Sequence, residues 1–166
     1  MLELLRPDMY VHSIHKIPLD QLKAIGIKGL IIDLDNTLTG WNLDTVSSDV
    51  SNWLTQLPDY SLKACLVSNN RAERVSRVAE TLGFPYVFNA NKPRRKAFRQ
   101  AMQQLGTGTK TTAVIGDQIF TDILGGNRLS LFTILVVPIS QREFIGTRLV
   151  RLLEQWALRK FRCEKI

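Results

Sequence analysis

Five short runs rich in apolar residues recur along the chain, each bounded by turn residues. They are Leu30-Ile31-Ile32, Ser61–Val67, Tyr86–Phe88, Thr111–Ile115 and Leu131–Val137. Their length and β-branched content predict strands, the first of them buried on both faces of a sheet. Helical spacing occupies the intervals. Ser47 or Ser48 can cap a helix running to about Leu57, with Val50, Trp53, Leu54 and Leu57 on one face, and Pro58-Asp59 ends it. Arg71 to Leu82 turns Val75, Val78, Ala79 and Leu82 inward and stops at Gly83. Pro93 suits the first turn of a helix through Leu105, and a further helix after Asp117 extends to about Gly125, where Gly125-Gly126-Asn127 breaks it. Strands alternating with helices predict an α/β fold: one parallel sheet of about five strands with right-handed crossovers.

The two ends are less regular. Pro18 to Gly26 reads as a short helix closed by glycine. Before it, Val11, Ile14 and Ile17 form either one helical face or an extended arm, so residues 1–25 are read as an N-terminal arm. His12 and His15 have a spacing that a metal on a helix would accept, but no cluster completes a site, and two surface histidines are expected. Residues 141–163 read as an amphipathic helix: Leu149, Leu152, Leu153, Trp156 and Ala157 oppose Arg148, Arg151, Gln155, Arg159 and Arg162. Such a helix either packs on the sheet or lies on an anionic membrane. No linker divides the chain, and residues 1–166 are read as one domain.

Composition narrows the class. The chain has 166 residues, 45% hydrophobic and 22% charged, which suits one globular domain with a sizeable core. No apolar run approaches the roughly 20 residues of a membrane-spanning helix. The N-terminus lacks the basic start and long apolar stretch of a secretory signal. A cytoplasmic protein is therefore expected, or a membrane-associated one, or one of an organelle matrix or stroma after removal of a transit peptide. Cys65 and Cys163 make neither a disulfide framework nor a zinc site. A formal charge of +7 and a pI of about 9.7 favour an anionic partner: a phosphate ester, an acidic lipid surface or nucleic acid.

Chemistry gathers where the strands end. After Ile32 come Asp33-Leu34-Asp35; Ser68-Asn69-Asn70 follow the second strand, Lys92 the third, and Gly116-Asp117 with Asp122 the fourth. Each taken alone has a plain reading as a turn or a helix cap. In a parallel sheet, however, all four ends meet at one edge, where ligands bind. Together they supply a nucleophile in Asp33, an acid–base in Asp35, and phosphate contacts from Ser68, Asn69 and Lys92. A Mg2+ site completes the set, built from Asp33, the main-chain carbonyl of Asp35 and Asp117, with Asp122 supporting it from behind. This is a full set for phosphoryl transfer through a covalent aspartate. The run Lys92, Arg94, Arg95, Lys96 and Arg99 is the densest positive charge, either a solvated face or a steering surface. Trp41 is expected near the Asp33 edge, packed on a neighbour in preference to covering the site.

These four motifs, in this order, resemble the haloacid dehalogenase (HAD) superfamily of phosphatases over residues 27–137. That resemblance implies a three-layer Rossmannoid fold, Mg2+ dependence and the roles just given to Asp33, Asp35, Ser68, Lys92 and Asp117. Asn36 stands where the common motif has glycine, and asparagine also tolerates turn geometry. Leu4-Leu5-Arg6-Pro7-Asp8-x-Tyr10-Val11-x-Ser13-Ile14, Asp35-Asn36-Thr37-Leu38 and Ser68-Asn69-Asn70 are similar to the YqeG branch. That branch is related to phosphatidylglycerophosphate phosphatases of mitochondria and plastids.

Spacing bears on substrate. Residues 36–67, 32 positions, separate Asp35 from Ser68, and residues 69–91, 23 positions, separate Ser68 from Lys92. Neither gap holds a cap domain. An open site accepts a phosphate carried on a large body, and with the family resemblance this makes phosphatidylglycerophosphate the leading substrate, an anionic phospholipid. Other large or soluble phosphomonoesters stand as an alternative. Two further readings are a phospho-acceptor signalling module and a basic binding module for nucleic acid or ribosomes, although no aromatic-basic recognition motif supports the latter.

Overall fold

The computed structural model describes residues 2–41 and 43–140, so the expected helix at 141–163 and Cys163 lie outside the described residues. Six strands form one sheet: β1 (Met9–Val11), β2 (Gly29–Ile32), β3 (Lys63–Val67), β4 (Tyr86–Val87), β5 (Thr112–Gly116) and β6 (Phe132–Val136). Their order is β1-β6-β5-β2-β3-β4, and every pairing is parallel. The helices are α1 (Leu19–Ala24), α2 (Ser48–Thr55), α3 (Ala72–Leu82), α4 (Arg95–Leu105) and α5 (Leu124–Asn127).

Alternation along the strands produces three layers. On β2, Leu30 and Ile32 pack with α1, α2 and α3 residues such as Leu22, Trp53 and Val75, while Ile31 packs on the other face with Phe98, Ala101 and Leu105 of α4. Because successive side chains on a strand face opposite sides, a central strand must be apolar throughout, and all four residues of β2 are buried. Ser47 caps α2 by accepting from the Val50 amide. Gly83 and Gly106 close α3 and α4 in the left-handed conformation.

Four features depart from the sequence reading. The N-terminal arm is part of the sheet: residues 9–11 pair with β6, and Asp8 locks that register by accepting from the Thr133 amide at 2.8 Å and from its hydroxyl at 3.1 Å. The sheet thus has six strands where about five were expected. Helix α4 begins at Arg95, two residues beyond Pro93. Beyond Asp117 the chain makes one π-helical turn, Ile119–Ile123, then α5, and the two glycines sit inside that helix without breaking it. A Cβ on Gly125 would meet the Phe98 ring at 2.5 Å, and one on Gly126 would meet Thr133 at 2.6 Å, so close packing demands glycine at both. Trp41, expected to pack on a neighbour, is 44% exposed.

The connections order the site. From β2 the chain moves outward through β3 to β4, then returns to place β5 on the other side of β2. The switch of direction therefore falls between β2 and β5, whose register sets Ile32 beside Ile115. Such a switch opens a crevice beyond the strand ends. The β2–β3 connection contains α2 and one 3-10 turn, Leu57–Tyr60, and the β3–β4 connection contains α3.

Candidate active site

Asp33 follows β2 directly, and its amide donates to Ile115 O at 2.9 Å, so the sheet ladder itself fixes its position. The chain then turns sharply. Asn36 is left-handed at φ +60°, which explains why a residue tolerant of that region stands there. Its side chain accepts from the Ser140 amide and its carbonyl from the Ile139 amide, tying the turn to the segment after β6. Thr37, Leu38, Thr39 and Gly40 are buried beneath it.

Across the switch, Asp117 follows β5, and the Thr37 hydroxyl donates to it at 3.4 Å. Asp122 projects from the π-helical turn. The Gln118 amide and Thr121 hydroxyl both donate to its Oδ2 at 3.2 Å. Gly116 lets this carboxylate lie against the strand end, since a Cβ there would overlap it. Asp33, Asp117 and Asp122 are all buried, and a carboxylate oxygen of each lies within 4.8 Å of the others.

Lys92 reaches this group from the loop after β4. Its ammonium donates to Asp33 Oδ1 and Asp122 Oδ1, both at 2.6 Å. Burial opposes its charge, but Asp122 and Asp33 outweigh that and hold it well above the ordinary lysine value. Burial also dominates at Asp33, raising its carboxyl well above the usual range. Lys92 pulls the other way, and repulsion from Asp122 and Asp117 adds to the rise. Lys92 bridges two of the three clustered carboxylates. Hard oxygen donors in that number and proximity fit a divalent cation such as Mg2+.

The remaining expected residues divide. Ser68, buried at the end of β3, accepts from the Asn70 amide at 3.1 Å, leaving its own O–H to donate. Asn69, expected as a phosphate contact, grips the Lys92 main chain: its Oδ1 accepts from the Lys92 amide at 2.7 Å and its Nδ2 donates to the Lys92 carbonyl at 3.4 Å. That clasp sets the base from which the ammonium extends. The Asp35 carboxylate stands apart from the acidic cluster, so any metal contact would come from its main-chain carbonyl. Its Oδ2 accepts from Asn70 at 3.1 Å and its Oδ1 from Arg74 at 2.6 Å. Sequence reading missed Arg74. It is one of two arginines in α3, with Arg77, yet it is 93% buried; its place one residue before the inward Val75 was the available signal. His15 sits away from the cluster, its Nδ1 2.6 Å from Ser13 Oγ.

Comparison with known proteins gives the family. A family model described as HAD-hydrolase-like matches residues 89–137, and one described as mitochondrial PGP phosphatase matches residues 2–82. The chain is 39% identical to the probable phosphatase YqeG of Bacillus subtilis, covering 90% of this chain and 87% of that one. It is 27% identical to the chloroplastic phosphatidylglycerophosphate phosphatase 1 of Chlamydomonas reinhardtii, covering 92% of this chain but 61% of the longer algal protein. Among solved structures, the cobalt-bound deoxy-D-mannose-octulosonate 8-phosphate phosphatase of Haemophilus influenzae superposes with a TM-score of 0.56 at 18% identity. That match covers 82% of this chain and 90% of the other.

Proposed function

The chain belongs to the HAD-like hydrolases, in their YqeG phosphatase branch, and from that premise we propose that it hydrolyses phosphatidylglycerophosphate through an aspartyl-phosphate on Asp33. The observation that carries the mechanism is the buried Asp33 carboxylate at the head of the central strand, held 2.6 Å from the Lys92 ammonium and beside Asp117 and Asp122.

An Asp33 oxygen attacks phosphorus, the ester P–O bond breaks, and its electron pair leaves on the alcohol oxygen, which takes a proton from Asp35. Water then gives a proton to Asp35 and attacks the phosphoryl group, and the P–O bond to Asp33 breaks, releasing inorganic phosphate. Ser68 donates its hydroxyl to a phosphoryl oxygen, and Lys92 offsets charge at Asp33. Asp33, Asp117 and the Asp35 carbonyl would hold Mg2+, with Asp122 behind them; the ion supplies neutralisation of the phosphoryl oxygens during transfer.

The lipid substrate is supported by the family model over residues 2–82, by the algal relative and by the chain's net charge of +7. The short β2–β3 and β3–β4 connections suit a phosphate held at a bilayer surface. Peripheral contact with anionic lipid through residues 141–163 belongs to the same proposal. The test is phosphate release with Mg2+ from phosphatidylglycerophosphate in mixed micelles and from a soluble aryl phosphate, with Asp33→Asn as control. Strong preference for the lipid is expected. Equal, weak turnover of both would reject the lipid substrate, and turnover by Asp33→Asn would reject the nucleophile.

A further inference from the structure

Arg74 is the one buried arginine among the described residues, and its guanidinium joins Asp35 to the loop that follows Thr39. Nη2 and Nε donate to Asp35 Oδ1 at 2.6 and 3.2 Å. Nη2 also donates to the Leu43 carbonyl at 2.9 Å and approaches the Thr39 hydroxyl at 3.4 Å, and Nη1 donates to Asp44 at 2.7 Å. The side chain therefore clamps the acid–base carboxylate to the loop that follows Thr39.

A guanidinium does not release its proton near neutral pH, so Arg74 cannot itself protonate a leaving group. Its effect must come through Asp35. With Oδ1 occupied by two N–H groups, Oδ2 is left as the oxygen able to carry the transferred proton. The Asn70 amide donates to that same Oδ2 and fills one of its lone pairs, leaving the other. Proton transfer requires the carrier to lie about 2.6–3.2 Å from the ester oxygen, so a carboxylate fixed on one side is worth more than one free to rotate.

We propose that Arg74 is a positioning residue for hydrolysis: it orients Asp35 by its Oδ1, so that Oδ2 delivers the proton to the leaving oxygen. This rests on the reading of Asp35 as the acid–base.

The test compares kcat/KM for a soluble alkyl ester, hexyl phosphate, with that for 4-nitrophenyl phosphate, whose leaving group departs without a proton. Because kcat/KM reports steps up to aspartyl-phosphate formation, it isolates leaving-group protonation. Arg74→Gln is expected to lower the alkyl value about 100-fold, in the range of a lost general acid, and the aryl value no more than about threefold. Asp35→Asn should show the same split, and the double variant should fall less than about twofold below Asp35→Asn alone. Should Arg74→Gln not fold, Arg74→Lys serves. It keeps the charge, but one ammonium cannot reproduce the fork that meets both Asp35 and Asp44, and the same split is expected at about tenfold. Equal losses on both esters, or no loss, would overturn the positioning role while a leaving-group-sensitive Asp35→Asn left the parent mechanism standing. An Asp35→Asn enzyme indifferent to the leaving group, or a wild-type enzyme inactive on both esters and on phosphatidylglycerophosphate micelles, would overturn the parent reading and this one together.

Discussion

Replacing Asp33 by asparagine is expected to end turnover and, in the absence of metal, to make the protein more stable. The reasoning is electrostatic. Asp33 is 8% exposed, and its carboxylate shares a space with those of Asp117 and Asp122, all three within 4.8 Å. At an effective dielectric of about 20, each of its two repulsions amounts to at least about 3.5 kcal/mol, and the attraction of the Lys92 ammonium at 2.6 Å to about 6.4 kcal/mol. Pairwise terms therefore nearly cancel, which leaves the desolvation of a buried carboxylate, several kcal/mol, without an offset. Asparagine keeps an oxygen for Lys92 and removes the charge. Local hydration and partial proton uptake trim the difference, so a gain of about 1–3 kcal/mol is expected, or about 2–4 °C in Tm per kcal/mol for a chain of this size.

The assay is thermal unfolding of both proteins in EDTA from pH 4 to 8, followed by a Mg2+ titration. Folded Asp33 holds its proton to higher pH than the unfolded chain, whose carboxyl titrates near 3.8. Its stabilising contribution is therefore complete below 3.8 and is lost as pH rises through the raised folded value. Metal-free wild type should lose stability relative to the variant across that window. Mg2+ should then close or reverse the gap, because a cation at 100 times its Kd stabilises the wild type by about 2.7 kcal/mol while the variant lacks a ligand. A folded Asp33→Asn protein that melts below wild type in EDTA at pH 8, or two stability curves parallel in pH, would refute the claim that this site carries surplus negative charge.

Gly116→Ala places a methyl group where the Asp122 carboxylate lies, and should shift that carboxylate away from Lys92, lowering phosphatase activity about 10- to 100-fold with weaker Mg2+ dependence, read from a metal titration of turnover. The Cys65 thiol is pushed up to about 12 by burial, so it should stay unmodified by iodoacetamide at pH 8 in the folded protein and react after denaturation; peptide mapping of the alkylated chain measures this, and native-state labelling of Cys65 would contradict its burial.

How much of this was legible in the sequence depends on the range of the interactions. Runs such as Leu30-Ile31-Ile32 and the helical face of Val75, Val78 and Ala79 announce themselves because periodicity is local. The gathering of Asp33, Ser68, Lys92, Asp117 and Asp122 was legible for a topological reason: parallel strands deliver their C-terminal ends to one edge whatever the strand order. Strand β1 was hidden because three residues carry too little pattern, and what makes them a strand is Asp8 bonding to Thr133, 125 positions away. Gly125 and Gly126 misled because glycine marks both turns and close packing, and only the Phe98 ring and Thr133 decide between them. Asn69 and Arg74 belong to a third kind. Their residue types were visible, but their partners, the Lys92 main chain and Asp35, are 23 and 39 positions distant and meet them only after the sheet forms.

The charge of the site runs against that of the chain. Overall the protein is basic, at +7, yet its buried centre holds three carboxylates and one ammonium. A phosphate dianion steered in by the surface would meet clustered carboxylates at the point of reaction. Lys92 relieves this only in part, since two of its three N–H groups are already committed to Asp33 and Asp122. On the proposed mechanism, then, substrate cannot bind productively ahead of the cation. The two affinities are linked, and by reciprocity phosphate should tighten the cation by the same factor that the cation tightens phosphate. On that proposal, long-range attraction and local repulsion would divide the labour: the basic exterior would govern encounter, and the acidic centre would make transfer conditional on a bound divalent ion.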